Sequence, residues 1–308
     1  MNKRLLVAVS CALLAIFCCC NAVLAANGKN QWKDRAKADH KILIWIDSSD
    51  KIMTHYLSRK FNGYTGGWLK REDVSWFMDS AVKSLADDCD HIKKLDMPLD
   101  QSYKASAANL SAVYRDQAKV VARLTKTKKI DRSDILSLQQ RNTYVYRAQE
   151  RYLRSRLSFI RSFLPTVIAA NSRGACADLV NYYRYQTNVI NWQLEEIKCA
   201  EELNIILRDM AQGKIVTTAP LSAKVNLLIN KCERTVASKE SLSLKKNLLR
   251  EFSSLNKVIE SVQRCIKEKN NNAYSILGSD IAHLVDTTQD TEHDNIRILN
   301  DSIRAVKD

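Results

Sequence analysis

Seven glycines and three prolines in 308 residues are too few for a chain built of sheets and tight hairpins, whose turns depend on both residues. The expected fold is therefore all-α: an elongated antiparallel bundle of about six to eight helices. No Gly/Ser-rich or Pro-rich linker divides the chain, so one helical body is the default. Beyond the first 26 residues no apolar run is long enough to cross a bilayer, which excludes a protein with several membrane spans. Also missing are a Gly-x-Ser-x-Gly elbow, a His-Glu-x-x-His pair, a phosphate-binding glycine loop and a dinucleotide fingerprint. Their absence does not exclude an enzyme but lowers the odds of one, so a non-enzyme without a cofactor is the expectation.

The N-terminus reads MNKRLLVAVSCALLAIFCCCNAVLAA. Lys3 and Arg4 precede the apolar run Leu5 to Cys20, and Val23-Leu24-Ala25 makes a small-residue cleavage pattern, so residues 1–25 are expected to be a secretory signal peptide. The alternative is a retained anchor over Leu5 to Ala26. A lipoprotein is disfavoured, because Phe17 or a cysteine stands directly before Cys18, Cys19 and Cys20, where a small residue is needed. The mature chain is expected to be periplasmic or secreted. Acids are outnumbered 34 to 48, giving a formal charge of +14, or +12 once Lys3 and Arg4 are removed. Such an excess directs the chain toward anionic partners. In an exported protein those are a protein or an envelope component such as a lipid headgroup, lipopolysaccharide or an acidic glycan, with peripheral membrane association, and not nucleic acid.

A polar leader is expected over 26–37, the helical bundle over 38–285, and an acidic tail with a short helix over 286–308. Ile42, Trp45, Ile46, Met53, Tyr56, Leu57 and Phe61 recur at the helical period, while KILIWID, Lys41 to Asp47, taken alone also fits a strand. NGYTGG, Asn62 to Gly67, is the clearest turn. Helical spacing then places one stripe on Val74 to Leu95, stopping near Pro98, and a second on Tyr103 to Leu124. A long helix runs from Ile135 to about Ala170, where Pro165 should kink it or end it early. Another runs over Ala175 to Ala211 with Gly213 just past its end. Pro220 opens a sixth helix, and a seventh continues through Ile266 until the asparagines at 270–272 weaken it. A short tail helix carries Ile296, Leu299, Ile303 and Val306.

Removal of the signal leaves Cys89, Cys176, Cys199, Cys232 and Cys265, an odd number for an oxidising compartment. If the helices flanking GKIVTTAP form an antiparallel hairpin about its centre, Cys199 and Cys232 lie at equal distances from the loop and the spacing predicts a disulfide between them.

SLADDCDHIKKL, Ser84 to Leu95, packs Asp87, Asp88, Asp90 and His91 together. Asp87 or Asp88 with His91 offers two metal ligands at helical spacing. A closed site needs further ligands, and a remote partner such as His283 would have to come from the fold. This supports the alternative reading as a metal-binding protein or enzyme. The plainer reading is a solvated helix face.

Between Asp131 and Arg161 stand seven arginines, no lysine and three acids. Arg147, Arg151, Arg154 and Arg161 share one stripe, flanked by Tyr144. The planar guanidinium grips carboxylates and phosphates at two points, so this helix is the expected contact with an anionic partner. The competing expectation is that acids on neighbouring helices, Glu195 and Glu196 among them, neutralise it. LSLQQ, Leu136 to Gln140, matches the Leu-Thr-x-x-Gln pattern of small periplasmic stress chaperones with serine for threonine. That leaves a chaperone-like helical protein as a third alternative, on five residues.

Overall fold

The computed structural model describes residues 32–57, 60, 70–126, 132–171 and 174–306. The expected signal peptide, the start of the expected leader, NGYTGG and most of the KTKK patch lie outside the described residues. Among the described residues there are eight α-helices and no strand. Helix α1 covers 32–50 and runs into a π-helical segment, Lys51–Leu57. It is followed by α2 (Arg71–Lys94), α3 (Gln101–Thr125), α4 (Arg132–Ala170), α5 (Ala177–Ala211), α6 (Ala219–Arg234), α7 (Leu242–Glu268) and α8 (Asn271–Arg304). A 3₁₀ turn, Lys239–Ser241, precedes α7. None of these helices is long and apolar enough to cross a membrane.

Local chemistry fixes the ends. Asp100 caps α3 by accepting from the backbone N–H of Ser102 at 2.8 Å and of Tyr103 at 3.2 Å, satisfying donors that have no partner within the helix. Pro220 occupies the first turn of α6, where its missing N–H costs nothing. Gly213, at φ 79°, turns the chain out of α5 in the left-handed region, as its position predicts. Lys269 ends α7 at φ 49°, a conformation uncommon outside glycine, and Asn270 restarts the chain by accepting from the N–H of Ala273 at 2.8 Å.

The structure bears on four of these readings. KILIWID is helix, with Ile42, Leu43 and Ile46 buried and Ile44 exposed. The leader already belongs to α1 by residue 32, because Trp32 and Ala36 are core residues. Helix α4 continues through Pro165 to Ala170. Pro165 is exposed, so the carbonyl of Arg161 that loses its partner can turn to water. The short tail helix is the last part of α8, 34 residues long, since the asparagines at 270–272 start that helix instead of ending the fold.

From α2 to α8 successive helices are antiparallel neighbours. The register is written in their bonds: Lys224 meets Glu202 and Lys231 meets Glu195 across α5 and α6, and Asn247 meets Asp294 while Ser261 meets Asp280 across α7 and α8. Helix α1 departs from this pattern. It runs parallel to α3, with Asp39 opposite Tyr103 and Asp50 opposite Tyr114, and antiparallel to α2, with Ser49 on Asp88. The apolar side chains form a main cluster from α1 to α5 with parts of α6, α7 and α8. A second cluster unites Cys199, Leu203, Leu221, Leu255 and Val262.

Those ion pairs also correct the cysteine reading. They set Cys199 level with Leu227 and Cys232 level with Leu194, a displacement of about 7 Å along the axes. Cys232 packs in the main cluster and Cys199 in the second. All five described cysteines are buried free thiols. The hairpin is not symmetric about its loop, and the Cys199–Cys232 bridge is not formed.

Candidate functional site

Helix α4 has two faces with different chemistry. Outward point Tyr144, Arg147, Arg151, Arg154 and Arg161, all exposed. Arg154 is held by Glu150 one turn earlier, at 2.6 Å. Arg147, Arg151 and Arg161 have no acidic partner among the described residues. The acids expected to neutralise them are committed elsewhere, Glu195 to Lys231 at 2.9 Å and Glu196 to the interior. The stripe arises because a step of three or four residues keeps one direction, while Tyr152, Leu153, Leu157, Ile160 and Phe163 face the core.

Arg156 lies in the same run with the opposite fate. It is 1% exposed and pairs through Nε and Nη2 with the two oxygens of Asp39, fully buried on α1, at 3.1 and 3.2 Å. Its remaining donors reach Gln186 Oε1 at 3.1 Å and the Tyr182 hydroxyl at 3.0 Å. Tyr103 donates to Asp39 at 2.7 Å and Tyr183 at 3.3 Å. Tyr182 and Gln186 both donate to Asn295 on α8. The network joins α1, α3, α4, α5 and α8 with each charge met by several bonds, as a buried charge requires.

Beside it a half-open chamber of about 260 Å³ lies where the two apolar clusters meet. Carboxyls enter it from four helices: Asp50 from α1, Glu196 from α5, Glu251 from α7 and Glu292 from α8. Asp50 accepts from the Tyr114 hydroxyl at 2.7 Å, and Gln149 donates to that hydroxyl at 2.8 Å. Burial pushes Asp50 up to about 6, with the nearby Asp47 adding to the effect and the Tyr114 bond opposing it. Burial likewise raises Glu251 to about 7. Glu196 and Glu292 are held well above the ordinary carboxyl range, first by burial and then by adjacent acids, Glu251 for Glu196, Asp50 and Asp47 for Glu292. Among the described residues the Tyr152 hydroxyl and Glu251 Oε2 have no partner at hydrogen-bond distance; the Tyr103 hydroxyl lies near the first, and Thr288, Thr291 and the Glu196 carboxyl lie near the Glu251 carboxyl.

The Asp87, Asp88 and His91 candidates separate. Asp88 is buried and accepts from Ser49 at 3.1 Å, while Asp87 and His91 are exposed and the His91 ring stacks on Trp45 at 5.6 Å. His283 stands on α8. Among the described residues no three His, Cys, Asp or Glu side chains are grouped to hold a metal ion.

Sequence reasoning overlooked Asp39, Asp50, Glu251 and Arg156. The available signal was a charge on an apolar stripe. Glu251 stands three residues after Leu248 and four before Leu255, and Asp50 four after Ile46, so each shares a helix face with core residues.

No family model matches the chain. No curated protein matches it, and no solved structure does. Fold and site together define a helical bundle with a cationic flank and an acidic interior.

Proposed function

We propose that this is an exported, non-enzymatic helical-bundle protein that docks on an anionic envelope surface through the arginine face of α4. The observation that carries the reading is the exposed run Tyr144, Arg147, Arg151, Arg154 and Arg161, in which Arg147, Arg151 and Arg161 lack an acidic partner among the described residues. An arginine face left unneutralised within its own fold is matched by phosphate or carboxylate groups supplied from outside. A net charge of +14, or +12 without Lys3 and Arg4, adds long-range attraction toward such a surface.

The test is cosedimentation with phosphatidylglycerol-containing vesicles. Each basic side chain near an anionic membrane contributes about 1 kcal/mol, so the triple variant R147Q/R151Q/R161Q should lose about 3 kcal/mol, on the order of 100-fold in affinity. Wild-type binding should fall as salt is raised, because exposed charges are screened. Binding that persists in the triple variant, or that salt does not weaken, would remove the arginine face from the explanation.

A further inference from the structure

We propose that the chamber between α1, α3, α4, α5, α7 and α8 is a binding site for a linear organic diammonium ion, a short aliphatic diamine or polyamine, held by Asp50, Glu196, Glu251 and Glu292. The inference is independent of the arginine face, which lies on the other side of α4.

The carboxyls of the lining select a cation: burial disfavours their ionised forms while the chamber's described lining holds no counter-charge, and an ammonium group entering it offsets that cost. Four carboxyls converge from four helices on one cavity, and the nearest buried cation does not serve them. Arg156 lines an adjoining pocket of about 30 Å³ together with Glu292, yet its guanidinium is taken up by Asp39, Gln186 and Tyr182. The walls select the body of the ligand. Leu110, Leu153, Leu255 and Leu284 give an apolar surface on which methylene groups pack. Tyr114, Tyr146 and Tyr152 line the same space, and aromatic faces attract ammonium groups. Size and spacing argue for an organic ion over a bare metal: the chamber encloses about 260 Å³, and its carboxyls are not grouped as a metal site.

A second observation is independent of the acidic character of the lining. The Tyr152 hydroxyl, on a residue 5% exposed, has no partner at hydrogen-bond distance among the described residues, its neighbour Tyr103 donating instead to Asp39. Glu251, 3% exposed, leaves Oε2 without a donor at bonding distance among the described residues, although Thr288, Thr291 and the Glu196 carboxyl are its neighbours. A buried polar atom left unpaired costs about 1–3 kcal/mol, and an ammonium group with three donors satisfies such acceptors. Asp50 and Thr54 reach the chamber from the junction of α1 with the π-helical segment Lys51–Leu57, a backbone irregularity that recurs at functional sites.

Isothermal titration of the full chain with putrescine, cadaverine and spermidine at pH 8 tests the assignment. One saturable site is expected, weakened at least tenfold both in E251Q/E292Q, which removes charge at constant shape, and in A200L, which fills the chamber from α5. Circular dichroism checks that each variant is folded, and E292Q alone serves if the double variant is not. No binding by the wild type overturns the proposal, as does equal affinity in folded E251Q/E292Q and A200L, or a site that takes Mg²⁺ or Zn²⁺ but none of the amines.

Discussion

Arg154 and Arg156 are two residues apart and end in different media. A step of two along a helix turns a side chain by about 200°, from solvent to core. Arg154 at the surface adds little stability through its pair with Glu150, since exposed i,i+4 pairs are worth about 0.3–0.5 kcal/mol. Arg156 is in the opposite position. Removing it strands Asp39 in an apolar interior, and breaking a buried pair in this way costs about 3–5 kcal/mol. R156A should therefore lower stability by that amount in urea denaturation. Replacing both partners, as R156M/D39L, should recover most of the loss, because neither charge is then left alone. A double variant no more stable than R156A would show that the surrounding tyrosine and amide network, and not the stranded charge, sets the cost.

At the scale of elements, α5 and α6 show how seam packing outranks loop symmetry. The apolar seam holds a single antiparallel register, which the exposed pairs Glu202 with Lys224 and Glu195 with Lys231 report without supplying much of its energy. That register draws Cys199 and Cys232 apart along the seam and turns them into different clusters. Burial raises both thiols to about 11, with Glu196 adding to the effect at Cys199 and Lys245 opposing it at Cys232, so they hold little of the reactive thiolate at neutral pH. Mass mapping without reductant should recover Cys199 and Cys232 as free thiols that alkylate only after denaturation. A bridged peptide joining them would refute this register. The face of α4 that meets the chamber and the face that meets solvent were both implicit in helical spacing. Which acids from α1, α5, α7 and α8 would meet at one chamber was not, because those residues lie up to some 240 positions apart and only packing unites them.

On the scale of the whole molecule, the acidic chamber is a store of unfavourable charge. Asp50 and Glu251 have folded-state values of about 6 and about 7, and Glu196 and Glu292 are raised well above the ordinary range. The unfolded chain ionises these groups near pH 4. Between there and about pH 7 the folded state holds more protons than the unfolded one, so stability declines as pH rises through that window. A tenfold weakening of a carboxylic acid on folding corresponds to about 1.4 kcal/mol, so Asp50 alone opposes folding by up to about 3 kcal/mol at pH 8. Denaturant midpoints should be higher at pH 5 than at pH 8, with the difference reduced in E251Q/E292Q. A midpoint that instead rises from pH 5 to pH 8 would mean that the chamber carboxyls are already compensated inside the fold.

The sequence by itself determined the helical class and most helix positions, because scarcity of glycine and proline, cap residues and the 3.6-residue period act within a few neighbours. It also determined the arginine stripe, which needs nothing beyond one helix. Tertiary structure decided the rest: that α1 is threaded parallel to α3 through the core, that Arg156 is inside, that the cysteines miss one another and that four acids share one chamber. These depend on register between helices, and register is set by long-range packing that no single segment contains.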